Sequence, residues 1–101
     1  MNIANKHQNK YCIIRTESAG VWYGKVESID NEVVNLLDAR RMYYWKNLDD
    51  GITLSHVALC GIHPESSIQA PILVTLKWIE VMPCSDDSIL TFATQPYAKA
   101  K

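Results

Sequence analysis

The chain has 101 residues, 48% of them apolar, with ten basic and eleven acidic side chains and a formal net charge of -1. That length suits one domain with a small core, and the charge balance excludes a general nucleic-acid binder, which carries a basic excess or a long basic stripe. No apolar stretch approaches the ~18 residues of a membrane span, and the polar opening over residues 1–10 does not read as a secretory signal.

Residues 1–9 read as a flexible arm. Residues 10–17 are rich in strand formers, and Ser18, Ala19 and Gly20 then break the pattern. A second strand over 21–29 follows, so the two runs predict a hairpin. Asp30 and Asn31 predict the next turn, because their side chains bond local backbone. Residues 33–45 are the longest strand candidate, with a bend near Asp38, where an acid interrupts Leu36-Leu37. A loop over 47–51 precedes Thr53, a helix N-cap. Leu54, Val57, Ala58 and Gly61 fall on one helical face and predict a helix over 53–61, stopped by Gly61 and Pro64. Residues 62–70 read as a loop.

A last long strand is predicted over 72–82, with Leu76, Trp78 and Glu80 on one face and Lys77, Ile79 and Val81 on the other; Pro83 ends it. Ser85 caps a short helical turn, with Asp86 and Asp87 in the first turn where negative charge is favoured. Residues 95–101 read as a frayed tail. The expected fold is α+β: a single domain over 10–94, a mainly antiparallel sheet with one short helix packed on it and a short C-terminal helical turn.

Arg15 and the Ser18-Ala19-Gly20 turn form one candidate anion site. Small residues let backbone N–H groups approach an anion, Ser18 adds a donor, and Arg15 supplies a charged fork. The same residues also suit a plain hairpin turn beside an exposed Arg. Arg40, Arg41, Met42, Tyr43, Tyr44 and Trp45 form the second candidate. On a strand, Arg41, Tyr43 and Trp45 share a face, with Arg40, Met42 and Tyr44 on the other. Rings beside a guanidinium suit a nucleotide, and each stacked base is worth about 1–3 kcal/mol. A core or a subunit interface uses the same residue types.

Cys60 and His63 offer one imperfect close pair, with Cys12 and Cys84 as further candidate ligands, whereas structural zinc sites show two close pairs. Reduced, metal-free thiols are the expectation for the three cysteines. His56 with Ser55 or Cys60 lacks an orienting carboxylate and a nucleophile elbow, and no phosphate-binding loop or dinucleotide fingerprint is present. The reading is a binding protein, not an enzyme, with no cofactor.

Four runs occur in order: Arg15-Thr16-Glu17-Ser18-Ala19-Gly20-Val21, Asp38-Ala39-Arg40-Arg41-Met42-Tyr43-Tyr44-Trp45, Leu54-Ser55-His56-Val57-Ala58 and Ile79-Glu80-Val81-Met82-Pro83-Cys84. Across residues 10–85 the series resembles a family of small phage and prophage proteins. Its members read R-T-x-S-A-G-V, A-R-R-x-W-x-W, L-x-x-L-A and I-E-x-x-P-C. Tyr43 stands where that family tends to have Trp, Val57 where it often has Leu, and the loop 46–52 looks slightly longer. The resemblance implies a viral anti-defence sponge, which sequesters a cyclic nucleotide or cyclic ADP-ribose-type signal of CBASS or Thoeris immunity without cleaving it. It implies ligand contacts at Arg15, Ser18, Ala19, Gly20, Arg40, Arg41, Tyr43 and Trp45. The expected setting is the cytoplasm of an infected bacterium, as a homo-oligomer, with no membrane and no sequence-specific nucleic acid as partner. The alternative is a protein–protein inhibitor or structural phage protein that uses the aromatic strand as its interface.

Overall fold

Strand-forming runs and the turns between them build an antiparallel meander first. A computed structural model describes residues 7–46 and 53–96. Strands β1 (Tyr11–Arg15) and β2 (Val21–Ile29) form the predicted hairpin, with Arg15 opposite Val21 and Tyr11 opposite Lys25. Asp30 makes the next turn by accepting from the N–H groups of Glu32 and Val33, each at 2.8 Å. Those bonds, to Val33 first and then Glu32, hold its carboxyl below the usual carboxylate range. The chain then returns as β3 (Val33–Tyr44).

The interruption at Asp38 is a backbone irregularity. Asp38 sits at φ 52°, and the pairing of β3 with both neighbours shifts register there. Such a bulge re-aims the side chains that follow it. Val34 and Leu36 enter one core before it; Ala39 enters the same core after it, so the inward set changes from even to odd positions.

Two expectations are corrected after β3. Residues 62–70 are not all loop: β4 (Ser67–Ile68) pairs with Met42 and Tyr44. Residues 72–82 are not one strand. β5 (Ile72–Lys77) pairs with β3, and β6 (Glu80–Pro83) pairs with β1, on the far side of the sheet. The break falls at Trp78 and Ile79, whose N–H groups donate to Glu32 O at 3.3 Å and Arg15 O at 2.8 Å. The inward alternation therefore runs Leu76, Trp78, Val81, and Glu80 turns out to solvent.

This break dictates the shape. From β5 through β3, β2 and β1 to β6 there are four strand intervals. In a flat sheet that is roughly 19 Å, yet the chain steps from Lys77 to Glu80, at most about 11 Å of extended backbone. The sheet must curl until its edges approach. One face becomes the inside of a half-open barrel, filled by Cys12, Ile14, Trp22, Val26, Leu36 and Leu76 among others.

The other face carries the helices. Helix α1 (Leu54–Cys60) starts at the predicted N-cap, where Thr53 Oγ1 accepts from His56 N at 3.2 Å. Helix α2 (Asp86–Thr94) is capped by Ser85, which accepts from Ser88 N at 3.1 Å. It is the short C-terminal helical element that the Ser85 cap predicts, nine residues long, and its Phe92 is fully buried. Ile13, Tyr23, Met42, Val57, Ile68 and Phe92 form this second core.

The chain ends also differ from expectation within the described residues. His7 is buried and Asn9 N donates to Val26 O at 2.7 Å, so residues 7–9 dock on β2 rather than forming part of an arm. Gln95 is tied down, its side-chain amide donating to Pro64 O and Ser66 O. The arm over 1–6, the loop over 47–51 and the tail over 97–101 lie outside the described residues.

Candidate functional site

The Thr16–Gly20 turn, whose Ala19 packs against the core inside the barrel, joins β1 to β2. Thr16 shapes it: its hydroxyl donates to Gly20 O at 2.7 Å and accepts from Ala19 N at 2.9 Å. Gly20 takes φ 90°, which a side chain would resist. Of the turn's N–H groups those of Thr16 and Ala19 are consumed, the first by Gly20 O at 3.2 Å, while among the described residues nothing accepts from those of Glu17, Ser18 and Gly20.

Trp22 ties this turn to β3. Its indole N–H donates to Ala19 O at 3.0 Å, and its cross-strand partner is Arg41. The Arg41 guanidinium carbon lies 4.7 Å from the Trp22 ring centroid, a cation–π contact. A Cβ on Gly20 would come within 3.9 Å of Arg41 Nε, so turn and guanidinium are neighbours. Arg41 Nε is shut off from solvent and has no acceptor among the described residues. A buried donor left unpaired costs about 1–3 kcal/mol, more when it is charged.

On the turn's other flank a cleft of about 240 Å³ lies against β5, with Glu17, Ser18 and Lys77 on its walls. Arg15 extends from the end of β1 and meets Glu80 at 3.5 Å, both side chains about half exposed (50% and 48%). A pair that exposed holds Arg15 weakly. Arg15 thus pairs with Glu80 at the end of β1, while Lys77 and Glu17 share the walls of the cleft. The sequence reading missed Lys77; the only signal was a charge at the end of an apolar strand.

The remaining predicted residues separate. Arg40 is 7% exposed, and it donates to Gln69 O at 2.8 Å, Phe92 O at 2.7 Å and Gln95 O at 2.9 Å. Its guanidinium therefore closes the C-terminal end of α2, and burial lowers its pKa. Trp45 packs with Met42 against the second core, away from Arg41. A register shift between Met42 and Tyr44 breaks the alternation that would have put Arg41, Tyr43 and Trp45 on one face. Tyr43 is 57% exposed and its hydroxyl donates to Gln69 Oε1 at 3.1 Å. The structure thus gathers Arg15, Ser18, Ala19, Gly20 and Arg41 around one turn, and leaves Arg40 and Trp45 elsewhere.

The three thiols are unpaired. Burial pushes Cys12 up to about 12 and Cys84 up to about 11, so both are poor nucleophiles near neutrality. Among the described residues no group of three or more His, Cys, Asp and Glu side chains is placed to hold a metal ion, and no helix is long and apolar enough to cross a membrane.

Neither a curated protein nor a solved structure matches the chain. Residues 9–92, however, match the family described as "Domain of unknown function (DUF6948)", and the chain belongs to that family.

Proposed function

We propose that this protein binds a phosphate-bearing nucleotide at the Thr16–Gly20 turn and holds it without cleaving it. The observation that carries this reading is Arg41: a guanidinium laid on Trp22, with Nε buried and lacking an acceptor among the described residues, beside a glycine turn. An anion is the partner that such a donor lacks. Free turn N–H groups, Ser18 and Lys77 add donors, and Trp22 keeps Arg41 in place before a ligand arrives. Pre-organised donors favour tight ground-state binding, which is what sequestration requires.

The resemblance to anti-defence sponges makes the ligand a cyclic nucleotide or a cyclic ADP-ribose-type signal, and the setting an infected bacterial cytoplasm. The protein acts as a homo-oligomer on this reading. A second reading, a protein–protein inhibitor or structural phage protein, is favoured by exposed apolar side chains: Leu59 and Leu90 at 64% and Leu73 at 74%.

Calorimetric titration with cyclic dinucleotides, cyclic trinucleotides and cyclic ADP-ribose isomers decides between them. One of these is expected to bind at micromolar levels and to be recovered intact after denaturation. Arg41→Ala is expected to weaken it by about 1.5–3 kcal/mol, roughly ten- to a hundredfold, with the fold retained. A folded wild-type protein that binds none of them replaces this reading with the interaction-protein reading.

A further inference from the structure

The Arg41 guanidinium holds its N–H donors in one rigid plane. Among the described residues no carbonyl, hydroxyl or carboxylate accepts from any of them. Its nitrogens differ in access: Nε is shut off from solvent, whereas Nη1 and Nη2 are not. Trp22 lies against one face of the group, its ring centroid 4.7 Å from the guanidinium carbon. Because the N–H bonds point outward in the plane, an acceptor must approach edge-on. Nε and the neighbouring Nη make one such edge, with two parallel N–H bonds. One end of that edge is buried and the other is open. Gly20 borders the buried end. A Cβ there would meet Arg41 Nε at 3.9 Å and, among the described residues, nothing else within 4 Å outside its chain neighbours. The Gly20 N–H also lacks an acceptor among the described residues. Glycine thus leaves a gap beside Nε that a side chain would fill.

We infer that this gap holds one non-bridging oxygen of a phosphodiester, while the second non-bridging oxygen meets the open Nη at the surface. This placement rests on the nucleotide reading above and adds which atoms of the phosphate are read. A phosphodiester carries two such oxygens on one phosphorus, the arrangement that a guanidinium edge binds bidentately. The two oxygens then sit in different surroundings. The inner one accepts from a buried Nε beside Gly20, and the outer one is bathed in water. Arg41 therefore acts as a fork that tells the two oxygens apart. A lysine ammonium is a point charge on a flexible stem and would not. Gly20 and Arg41 are the specificity-determining residues on this reading, and the selected feature is the handedness of the phosphate.

Phosphorothioates test this placement, because sulfur is larger than oxygen and a poorer hydrogen-bond acceptor. Cyclic di-AMP, cyclic di-GMP and cyclic GMP-AMP are titrated into the protein by calorimetry, each beside its Rp,Rp and Sp,Sp phosphorothioate forms. At least one parent is expected to bind at micromolar levels, with its two sulfur diastereomers differing at least tenfold in affinity. The weaker diastereomer is the one that puts sulfur in the gap. Arg41→Lys keeps the charge and removes the buried donor. It is expected to weaken that parent at least tenfold and to bind both diastereomers alike, an outcome that a packing role for Arg41 would not produce. Equal affinity of the wild type for both diastereomers overturns the placement and leaves the nucleotide reading standing. So does an Arg41→Lys protein that keeps the wild-type preference. If no cyclic dinucleotide binds at millimolar concentration, the placement is likewise overturned. Binding of a cyclic ADP-ribose isomer would then retain the nucleotide reading, and binding of neither class would remove both.

Discussion

Arg40 and Arg41 are chain neighbours whose guanidinium groups leave β3 on opposite faces. Arg40 donates to three carbonyls inside the protein, whereas Arg41 rests on one ring and keeps a buried donor unpaired among the described residues. The two should separate in a stability measurement. Arg40→Met strands two carbonyls at the end of α2 and a third at Gln69, and is expected to cost about 3 kcal/mol or more, since each charged hydrogen bond is worth about 1.5–3 kcal/mol. Arg41→Ala forfeits a cation–π contact of about 0.5–2 kcal/mol. Urea midpoints of both variants check this; equal losses would erase the division of labour. The period of two made the opposite facing of these arginines legible in the sequence. Which of them was already committed was not legible, because the carbonyls that claim Arg40 belong to residues 69, 92 and 95.

At the scale of elements, the β1–β6 pairing places two thiols in protein. Cys12 lies inside the barrel, and Cys84 packs against the second core just beyond β6. Burial is the main cause in each case, raising Cys12 from 9.0 to about 12 and Cys84 from 9.0 to about 11. A raised pKa means that folding favours the protonated thiol. The stabilisation is therefore complete below pH 9, the unfolded value, and is lost as pH climbs through about 11. Burial raises Tyr11 in the same direction. Urea midpoints are expected to hold from pH 7 to 9 and to fall above it, with a shallower fall in Cys84→Ala. A midpoint that rises with pH over that interval contradicts the burial. Helix α1 was readable from its cap and apolar stripe. Helix α2 was only partly readable, because its single deep anchor, Phe92, gains meaning from the stack with Tyr23.

For the whole molecule, the curl of the sheet leaves edges. Among the described residues β5 pairs with β3 alone, so its outer side carries unpaired backbone groups beside Leu73 (74% exposed) and Ile72 (42%). An exposed edge of this kind invites pairing with another strand. The homo-oligomer proposed above would use it, with antiparallel β5 strands paired across a twofold axis. Light scattering at micromolar concentration is expected to give at least the dimer mass, and Leu73→Lys to return the protein to the 11.5 kDa monomer. A wild type that already scatters as a monomer removes the proposal.

Local pattern alone determined a great deal here: the β1–β2 hairpin, the Asp30 turn, the irregularity at Asp38, the caps at Thr53 and Ser85, and the α+β class. Each follows from interactions within a few residues, or from alternation along one strand. Tertiary structure decided the rest. It split 72–82 at Trp78-Ile79, because one strand had to serve both edges of a curled sheet. It drew the Thr16–Gly20 turn onto Arg41 through Trp22, sent Trp45 to the opposite core, and set Asp38 beside Tyr11 and Tyr23. These contacts join residues distant in the chain. Their energies depend on the register and curvature of the sheet, and no window of sequence contains them.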